Sequence, residues 1–145
     1  ELGSVLFMCS MNAIRSPMAE EIAKHILPKS TYVQSAGVRK GKADPFLEII
    51  LAEAGMAGAE HEPRALEELE DDFFDLVITL SPEAHHRALE LTRTSRVEVE
   101  YWPTPDPTLV YGSREQVLNA YREVFERLRH RIEARFSNNT PNIGS

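Results

Sequence analysis

Short runs of apolar residues alternate along the chain with segments whose apolar residues recur every three or four positions. The short runs predict strands and the periodic segments predict helices. We expect strands at residues 4–8, 31–35, 74–79 and 96–101, the last at a sheet edge, and helices at residues 17–27, 45–54, 82–91 and 114–136. Strands that alternate with helices are typical of βαβ units, so this order predicts an α/β fold with a parallel sheet.

Three predicted helices open with a side-chain oxygen followed by a proline. The pairs are Ser16-Pro17, Asp44-Pro45 and Ser81-Pro82. Proline suits the first helical position, where its missing N–H costs nothing, and the preceding oxygen can cap the helix. Ser113 and Gln116 fit a capping box for the last helix. These starts leave residues 9–15 as a short loop between the first strand and the first helix.

That loop reads Cys-Ser-Met-Asn-Ala-Ile-Arg, from Cys9 to Arg15. It joins the carboxyl end of a parallel strand to a helix N-terminus, where backbone N–H groups bind anions. We therefore expect its amides to wrap a tetrahedral phosphate, and the amides belong to Ser10, Met11, Asn12, Ala13 and Ile14. Arg15 would grip two phosphate oxygens in a fork, and the same donors would keep Cys9 as a nucleophilic thiolate.

Composition narrows the possible functions. The 145 residues carry a net charge of −7, which argues against general binding to nucleic acid or to anionic membranes. No apolar run could span a bilayer and no signal peptide opens the chain, so we expect a cytoplasmic protein. The single cysteine cannot form an internal disulfide or a thiolate zinc site, and we expect no metal and no cofactor. His85 and His86 are adjacent on a helix, where they point to different faces, and we interpret them as a solvated pair.

The segment Val-Leu-Phe-Met-Cys-Ser-Met-Asn-Ala-Ile-Arg-Ser-Pro-Met-Ala-Glu, residues 5–20, resembles the signature of the low-molecular-weight protein tyrosine phosphatases. The similarity continues through residues 35–37, 44–45, 61–66, 74–79 and 106–107. It implies three layers, with a four-stranded parallel sheet flanked by helices on both faces. Residues 1–136 would form one such domain, and residues 137–145 a polar tail.

The resemblance also implies roles for individual residues. Cys9 falls on the family's nucleophile, which forms a phosphocysteine intermediate without a metal, and Arg15 falls on the phosphate clamp. Ser16 falls on a hydroxyl that supports the thiolate, besides its expected role as a helix cap. Asn12 and Ser35 fall on residues that brace the loop.

Thiolate attack also needs a proton for the departing oxygen, and two Asp-Pro pairs could supply it. Asp44 opens a helix, so a capping role suffices for it. Asp106 lies between prolines in a stiff loop after the fourth strand, with no helix expected after it, on the same side of the sheet as Cys9. Asp106 resembles the family's general acid.

The chain departs from the family around the site. Met11 replaces a usual glycine, which could reshape the loop mouth, and Ile14 stands where many members have a second cysteine. The segment after Gly37 lacks an aromatic wall residue. Arg39 and Lys40 supply charge there instead, and we expect them to bind an acidic or multiply phosphorylated substrate, although a solvated charged face would have the same composition.

Three functions therefore stay open. The first is a phosphatase acting on a phosphorylated protein or a small phosphomonoester, as a monomer or weak homodimer, with phosphotyrosine, phosphoarginine and small-molecule phosphates as possible substrates. The second is a pseudophosphatase that binds phosphate without turnover. The third is an arsenate reductase, which with one cysteine would rely on an external thiol.

Overall fold

Four parallel strands form one sheet in the computed structural model, which describes residues 2–56, 61–70 and 73–137. The strands are β1 (Ser4–Cys9), β2 (Tyr32–Gly37), β3 (Leu76–Thr79) and β4 (Glu98–Tyr101), in the spatial order β2-β1-β3-β4. The helices are α1 (Arg15–Ile26), α2 (Pro45–Glu53), α3 (Pro82–Leu91) and α4 (Arg114–Phe136). The predicted fold class is confirmed. Of the predicted tail, only Ser137 lies within the described residues.

Alternate residues of β1 pack on opposite faces of the sheet, and this alternation creates the three layers. Val5, Phe7 and Cys9 join the apolar cluster that includes α1, α2 and α4, whereas Leu6 and Met8 join the cluster that includes α3. Because helices cover both faces, β1 is apolar and buried along almost its whole length. Its last residue, Cys9, therefore points toward the α1 side of the sheet.

The strand limits differ slightly from the predicted ones because pairing with neighbours decides where a strand ends. Cys9 pairs with Gly37, which extends β1 and β2 beyond their predicted ends. In contrast, β3 begins only at Leu76. Phe74, predicted to lie in that strand, instead stacks its ring on Tyr32 with the centroids 6.2 Å apart.

The predicted caps are confirmed for three of the four helices. Asp44 accepts from the amide of Phe46 at 2.9 Å, Ser81 accepts from the amide of Ala84 at 3.2 Å, and Ser113 forms the reciprocal capping box with Gln116. The prediction for Ser16 is wrong, because α1 begins at Arg15 and no side chain caps it.

The interpretation of the histidine pair is half wrong. His85 Nδ1 lies 3.0 Å from the Thr79 hydroxyl, and its ring stacks on Tyr101 with a centroid separation of 4.5 Å. Only His86 is exposed. Adjacent helical residues point in different directions, and α3 packs so that His85 faces β3 and β4 while His86 faces solvent. Among the described helices, none combines the length and the apolar character needed to cross a membrane.

Candidate active site

The loop after β1 turns its carbonyl groups away from its centre. The carbonyls of Cys9, Ser10 and Met11 accept hydrogen bonds from the amides of Val38, Arg39 and Gly41 at 3.1, 2.9 and 3.0 Å, listed in that order. Residues 38–41 therefore run alongside the loop and hold its outer edge. Within the described residues, the amide N–H groups of positions 10, 11, 13 and 14 donate to no protein acceptor. They remain available to an anion at the N-terminus of α1.

The Cys9 sulfur is buried at the base of this loop, and the residue is only 2% exposed. The Asn12 amide donates to the sulfur at 3.3 Å, and the Ser16 hydroxyl lies 3.0 Å from it. Asn12 Nδ2 donates to the same hydroxyl oxygen at 2.9 Å, so the hydroxyl proton of Ser16 can point at the sulfur. The hydroxyl of Ser16 contacts the Cys9 sulfur instead of capping α1.

Asn12 occupies the centre of the hydrogen-bond network behind the loop. Its backbone adopts a left-handed conformation, with φ of 55°, and its side chain is fully buried. Nδ2 donates to the hydroxyls of Ser16 and Ser35, both at 2.9 Å. The structure thus links the two predicted bracing residues: Asn12 contacts the Ser16 hydroxyl directly, and Ser35 contacts Asn12.

Two residues that the sequence reasoning did not assign to the site hold Asn12 from the other side. His61 Nε2 lies 2.8 Å from the Asn12 carbonyl and 3.1 Å from Asn12 Oδ1, and the Arg64 amide donates to the same Oδ1 at 3.0 Å. Because both oxygens of Asn12 are acceptors, His61 must carry its proton on Nε2.

Ser35 continues the network to an ion pair between Glu20, which is buried, and Lys24, which is exposed. Its hydroxyl donates to Glu20 Oε1 at 2.5 Å, and Glu20 Oε2 accepts from Lys24 at 2.6 Å. Arg64 Nε donates to the Ser35 carbonyl at 2.9 Å. Glu20 was also missed, although a sequence signal existed: it lies one helical turn after Ser16, on the face of α1 that is otherwise apolar and buried.

Arg15 and Asp106 meet at the mouth of the loop. Arg15 Nη1 donates to the Thr104 carbonyl at 3.0 Å, and Nη2 lies 3.9 Å from Asp106 Oδ2. The Arg15 side chain is 12% exposed and that of Asp106 is 32% exposed. The guanidinium is therefore fixed by the loop that follows β4, and the carboxyl group reaches solvent.

Contrary to the prediction, a helical turn does follow Asp106. Residues Pro107–Leu109 form a short 3₁₀ turn, and Asp106 Oδ1 caps it by accepting from the amide and the hydroxyl of Thr108 at 3.0 and 2.7 Å. Proline is as suitable for the first position of this turn as for an α-helix. Because Oδ1 of Asp106 accepts the capping hydrogen bonds, Oδ2 is the oxygen that faces Arg15.

The remaining predicted residues lie along the rim. Ser10 Oγ is 3.0 Å from Ser81 Oγ at the start of α3, and Arg39 forms an ion pair with Glu83 in the first turn of that helix. Lys40 is exposed. Ala13 and Ile14 complete the loop before α1, with Ile14 buried in the apolar core.

Met11 extends outward beside a glycine. Its side chain is 43% exposed, and a Cβ atom on Gly41 would lie only 2.8 Å from the Met11 Cβ. A Cβ atom on Gly37 would come within 2.8 Å of the Asn12 amide nitrogen. Both glycines are thus required for residues 37–41 to approach the loop closely. The effect of Met11 on the loop mouth stays a prediction.

The site as a whole combines a buried sulfur, a set of inward amides, a fixed guanidinium and a carboxyl group. Such a set can bind a tetrahedral oxyanion and attack its central atom. Across residues 2–56, 61–70 and 73–137, no cluster of three or more histidine, cysteine, aspartate or glutamate side chains could hold a metal ion.

Comparison with known proteins gives two kinds of relative. The family model described as low molecular weight phosphotyrosine protein phosphatase matches residues 4–140. Among curated proteins, an arsenate reductase from Shouchella clausii is 30% identical over 131 residues, covering 90% of each chain. An arsenate reductase from Bacillus subtilis is 26% identical over 129 residues, covering 89% of this chain and 91% of its own.

Solved structures agree with these matches. A mutant of YwlE from Bacillus subtilis is 25% identical, with a TM-score of 0.76 over 94% of this chain and 97% of its own. A low molecular weight protein tyrosine phosphatase from Streptococcus pyogenes shares the fold, with 18% identity and a TM-score of 0.77 over 97% of this chain and 95% of its own. Because the family model covers nearly the whole chain, the protein belongs to the low molecular weight phosphotyrosine protein phosphatase family.

Proposed function

We propose that this protein hydrolyses phosphate monoesters in the cytoplasm as a protein tyrosine phosphatase, through a phosphocysteine intermediate on Cys9. The observation that carries the proposal is the placement of three groups from separate elements at the same edge of the sheet. The Cys9 sulfur lies at the end of β1, the Arg15 guanidinium at the start of α1, and the Asp106 carboxyl group after β4. Nucleophile, anion clamp and proton donor are the parts that this reaction requires.

In the first step, the phosphate dianion occupies the loop. The free amides of residues 10, 11, 13 and 14 donate to its oxygens, and Arg15 donates in a fork. The Cys9 thiolate attacks phosphorus, and an S–P bond forms as the P–O bond to the leaving group breaks. Asp106 gives its proton to the departing oxygen. Arg15 then stabilises charge on the transferring group, where fixed donors contribute most.

In the second step, water hydrolyses the phosphocysteine. Asp106, now a carboxylate, takes a proton from the attacking water, and the P–S bond breaks to release inorganic phosphate. The Ser16 hydroxyl, 3.0 Å from the sulfur, stabilises the thiolate that leaves. The sum of the two steps consumes one water and returns Cys9 and Asp106 to their starting states.

Arsenate reduction is the second candidate, because the curated relatives described above are named arsenate reductases. Arsenate is also a tetrahedral oxyanion and would fit the same amides and guanidinium. Its reduction to arsenite takes two electrons, supplied by two thiols. The chain contains one cysteine, so an external thiol would have to supply the other.

Hydrolysis of p-nitrophenyl phosphate and of a phosphotyrosine peptide tests the proposal. We expect Cys9→Ser to abolish turnover, and Asp106→Asn to lower kcat by about 10²–10⁴, the usual contribution of a general acid. Glu133→Gln is the matched control, since it removes one negative charge from an exposed ion pair on α4. We expect this variant to retain wild-type activity. Comparing phosphotyrosine, phosphoarginine and small phosphate esters would then assign the substrate class.

The same protein is then assayed for arsenate reduction with thioredoxin, or with glutathione and glutaredoxin, as the external thiol. Arsenate reduction that depends on Cys9, without phosphatase activity, would replace the phosphatase proposal. Phosphate binding without either reaction would instead indicate a pseudophosphatase.

A further inference from the structure

The segment after β2 places a cation beside the residue that follows the nucleophile. The Arg39 amide donates to the Ser10 carbonyl at 2.9 Å, and the Gly41 amide donates to the Met11 carbonyl at 3.0 Å. These two bonds hold the backbone of Arg39 against the phosphate loop. Its side chain is 54% exposed, so it reaches solvent at the rim.

The N-terminus of α3 brings an anion to the same rim. Ser81 caps α3 and lies 3.0 Å from the Ser10 hydroxyl, and Glu83 belongs to the first turn of this helix. Arg39 binds both carboxylate oxygens of Glu83, with Nη2 donating to Oε1 at 3.0 Å and Nη1 to Oε2. The two residues form a fork-to-fork ion pair that spans from the segment after β2 to α3.

This pairing keeps Glu83 charged. The hydrogen bonds from Arg39 and then from Ser10 hold the pKa of Glu83 below its usual value, against a smaller opposing effect of burial. An anionic substrate group that approaches Arg39 therefore meets a guanidinium that already binds a carboxylate through Nη1 and Nη2, which offsets its charge. In the part of the chain that the structure describes, Lys40 forms no ion pair.

We propose that Glu83 is a specificity-determining residue, which occupies the fork of Arg39 and thereby disfavours substrates with acidic residues beside the phosphorylated side chain. The inference rests on the proposed phosphatase function and adds a substrate class to it: phosphorylated segments with neutral or basic flanks. It also changes the role expected for Arg39, whose charge would attract an acidic substrate only when Glu83 is neutralised.

Two phosphotyrosine peptides of the same sequence, one with Asp and Glu flanks and one with Asn and Gln flanks, provide the test. The quantity measured is the ratio of kcat/KM for the acidic peptide to kcat/KM for the neutral one. At low ionic strength we expect Glu83→Gln to raise this ratio about two- to five-fold, as exposed charge pairs allow. The rise should disappear in about 1 M salt, where the screening length is about 3 Å.

Arg39→Gln changes the charge in the opposite direction, because it leaves Glu83 unpaired at the rim, and we expect it to lower the ratio. The double variant should return close to the wild-type ratio. Glu53→Gln is the matched control: Glu53 also forms a fork with an arginine, Arg122, and its side chain is 42% exposed against 41% for Glu83. Glu53→Gln removes the same net charge as Glu83→Gln, but at the C-terminal end of α2.

The outcomes separate the two proposals. Turnover of both peptides with an unchanged ratio in Glu83→Gln, or with an equal change in Glu53→Gln, would overturn the role of Glu83 and leave the phosphatase function intact. Absence of turnover by the wild-type protein on either peptide and on p-nitrophenyl phosphate would overturn the proposed function, and this inference with it.

Discussion

Asn12 shapes the phosphate loop through its backbone and its side chain together. The left-handed backbone, with φ of 55°, is one that asparagine tolerates better than most residues. The buried amide satisfies two hydroxyls and accepts from the Arg64 amide. In a helix or strand, such hydrogen bonds would come from backbone groups of the same element. Here the Asn12 side chain supplies them, so the amides of the loop can face an anion.

Comparison of Asn12→Ala with Asn12→Gly separates these two contributions. Both variants lose the amide and leave buried polar groups unpaired, so we expect a loss of about 2–3 kcal/mol in the free energy of unfolding. Alanine also has to adopt the left-handed conformation, which costs about 1–2 kcal/mol that glycine does not pay. Urea unfolding should therefore rank glycine above alanine. An alanine variant that is more stable than the glycine variant would contradict this contribution of backbone strain.

At the scale of elements, a hydrogen bond joins the start of α2 to α4. Asp44 Oδ1 caps α2, while Oδ2 accepts from the Tyr121 hydroxyl at 2.7 Å. The Tyr121 ring meets Phe46 edge to face, with the centroids 5.3 Å apart. Asp44 thus acts as the predicted cap and also fixes the packing of the longest helix against α2.

This hydrogen bond predicts a dependence of stability on pH. Burial, followed by the hydrogen bond to Asp44, raises the pKa of Tyr121 above its ordinary value near 10. When the pH rises past about 10, Tyr121 loses its hydroxyl proton in the unfolded chain before it does so in the folded protein. Tyr121 therefore stabilises the folded state below that pH, and its contribution to the free energy of unfolding is lost as the pH rises further. We expect the free energy of unfolding to fall more steeply in wild type than in Tyr121→Phe between pH 10 and 11.

The measurement is urea unfolding at several pH values, with Tyr111→Phe as the control because Tyr111 is 90% exposed. The control should keep the wild-type slope, and Tyr121→Phe should cost about 1 kcal/mol at neutral pH through the lost hydrogen bond. Identical slopes in wild type and Tyr121→Phe would contradict the assignment.

For the whole molecule, the site lies where the carboxyl ends of the strands meet. The segment after β2 and the N-terminus of α3 contact the loop after β1, and the loop after β4 contacts Arg15 at the end of that loop. Arg15 joins the loop after β1 to the loop after β4 through its hydrogen bond to the Thr104 carbonyl. An anion bound at the loop should therefore stabilise the entire fold.

Inorganic phosphate should accordingly raise the Tm of the wild-type protein, by an amount that corresponds to about 2.7 kcal/mol at a concentration 100 times its Kd. We expect Arg15→Gln to lose most of this increment, since the amides alone hold the anion without the charged fork. Arg129→Gln, which removes an exposed cation from α4, is the control and should keep the increment. A phosphate effect of equal size in both variants would place the anion elsewhere.

Much of this arrangement was predictable from the sequence because its signals are local. Apolar periodicity and the proline caps bracketed residues 9–15, and the spacing of Cys9 and Arg15 indicated an anion loop. Errors arose where a side chain made a contact other than the one that its local pattern indicated. The Ser16 hydroxyl contacts the Cys9 sulfur instead of an amide of its own helix, and Asp106 caps a 3₁₀ turn too short for any periodic pattern.

The sequence by itself determined the order of strands and helices and the positions of Cys9 and Arg15 at the two ends of the loop, because each depends on residues only a few positions apart. Only the tertiary structure decided that His61, Arg64 and Glu20 support the loop and that Glu83 neutralises Arg39. Those contacts join residues from different elements, and a hydrogen bond or ion pair exists only when the packing of the whole sheet brings its two partners within about 3 Å.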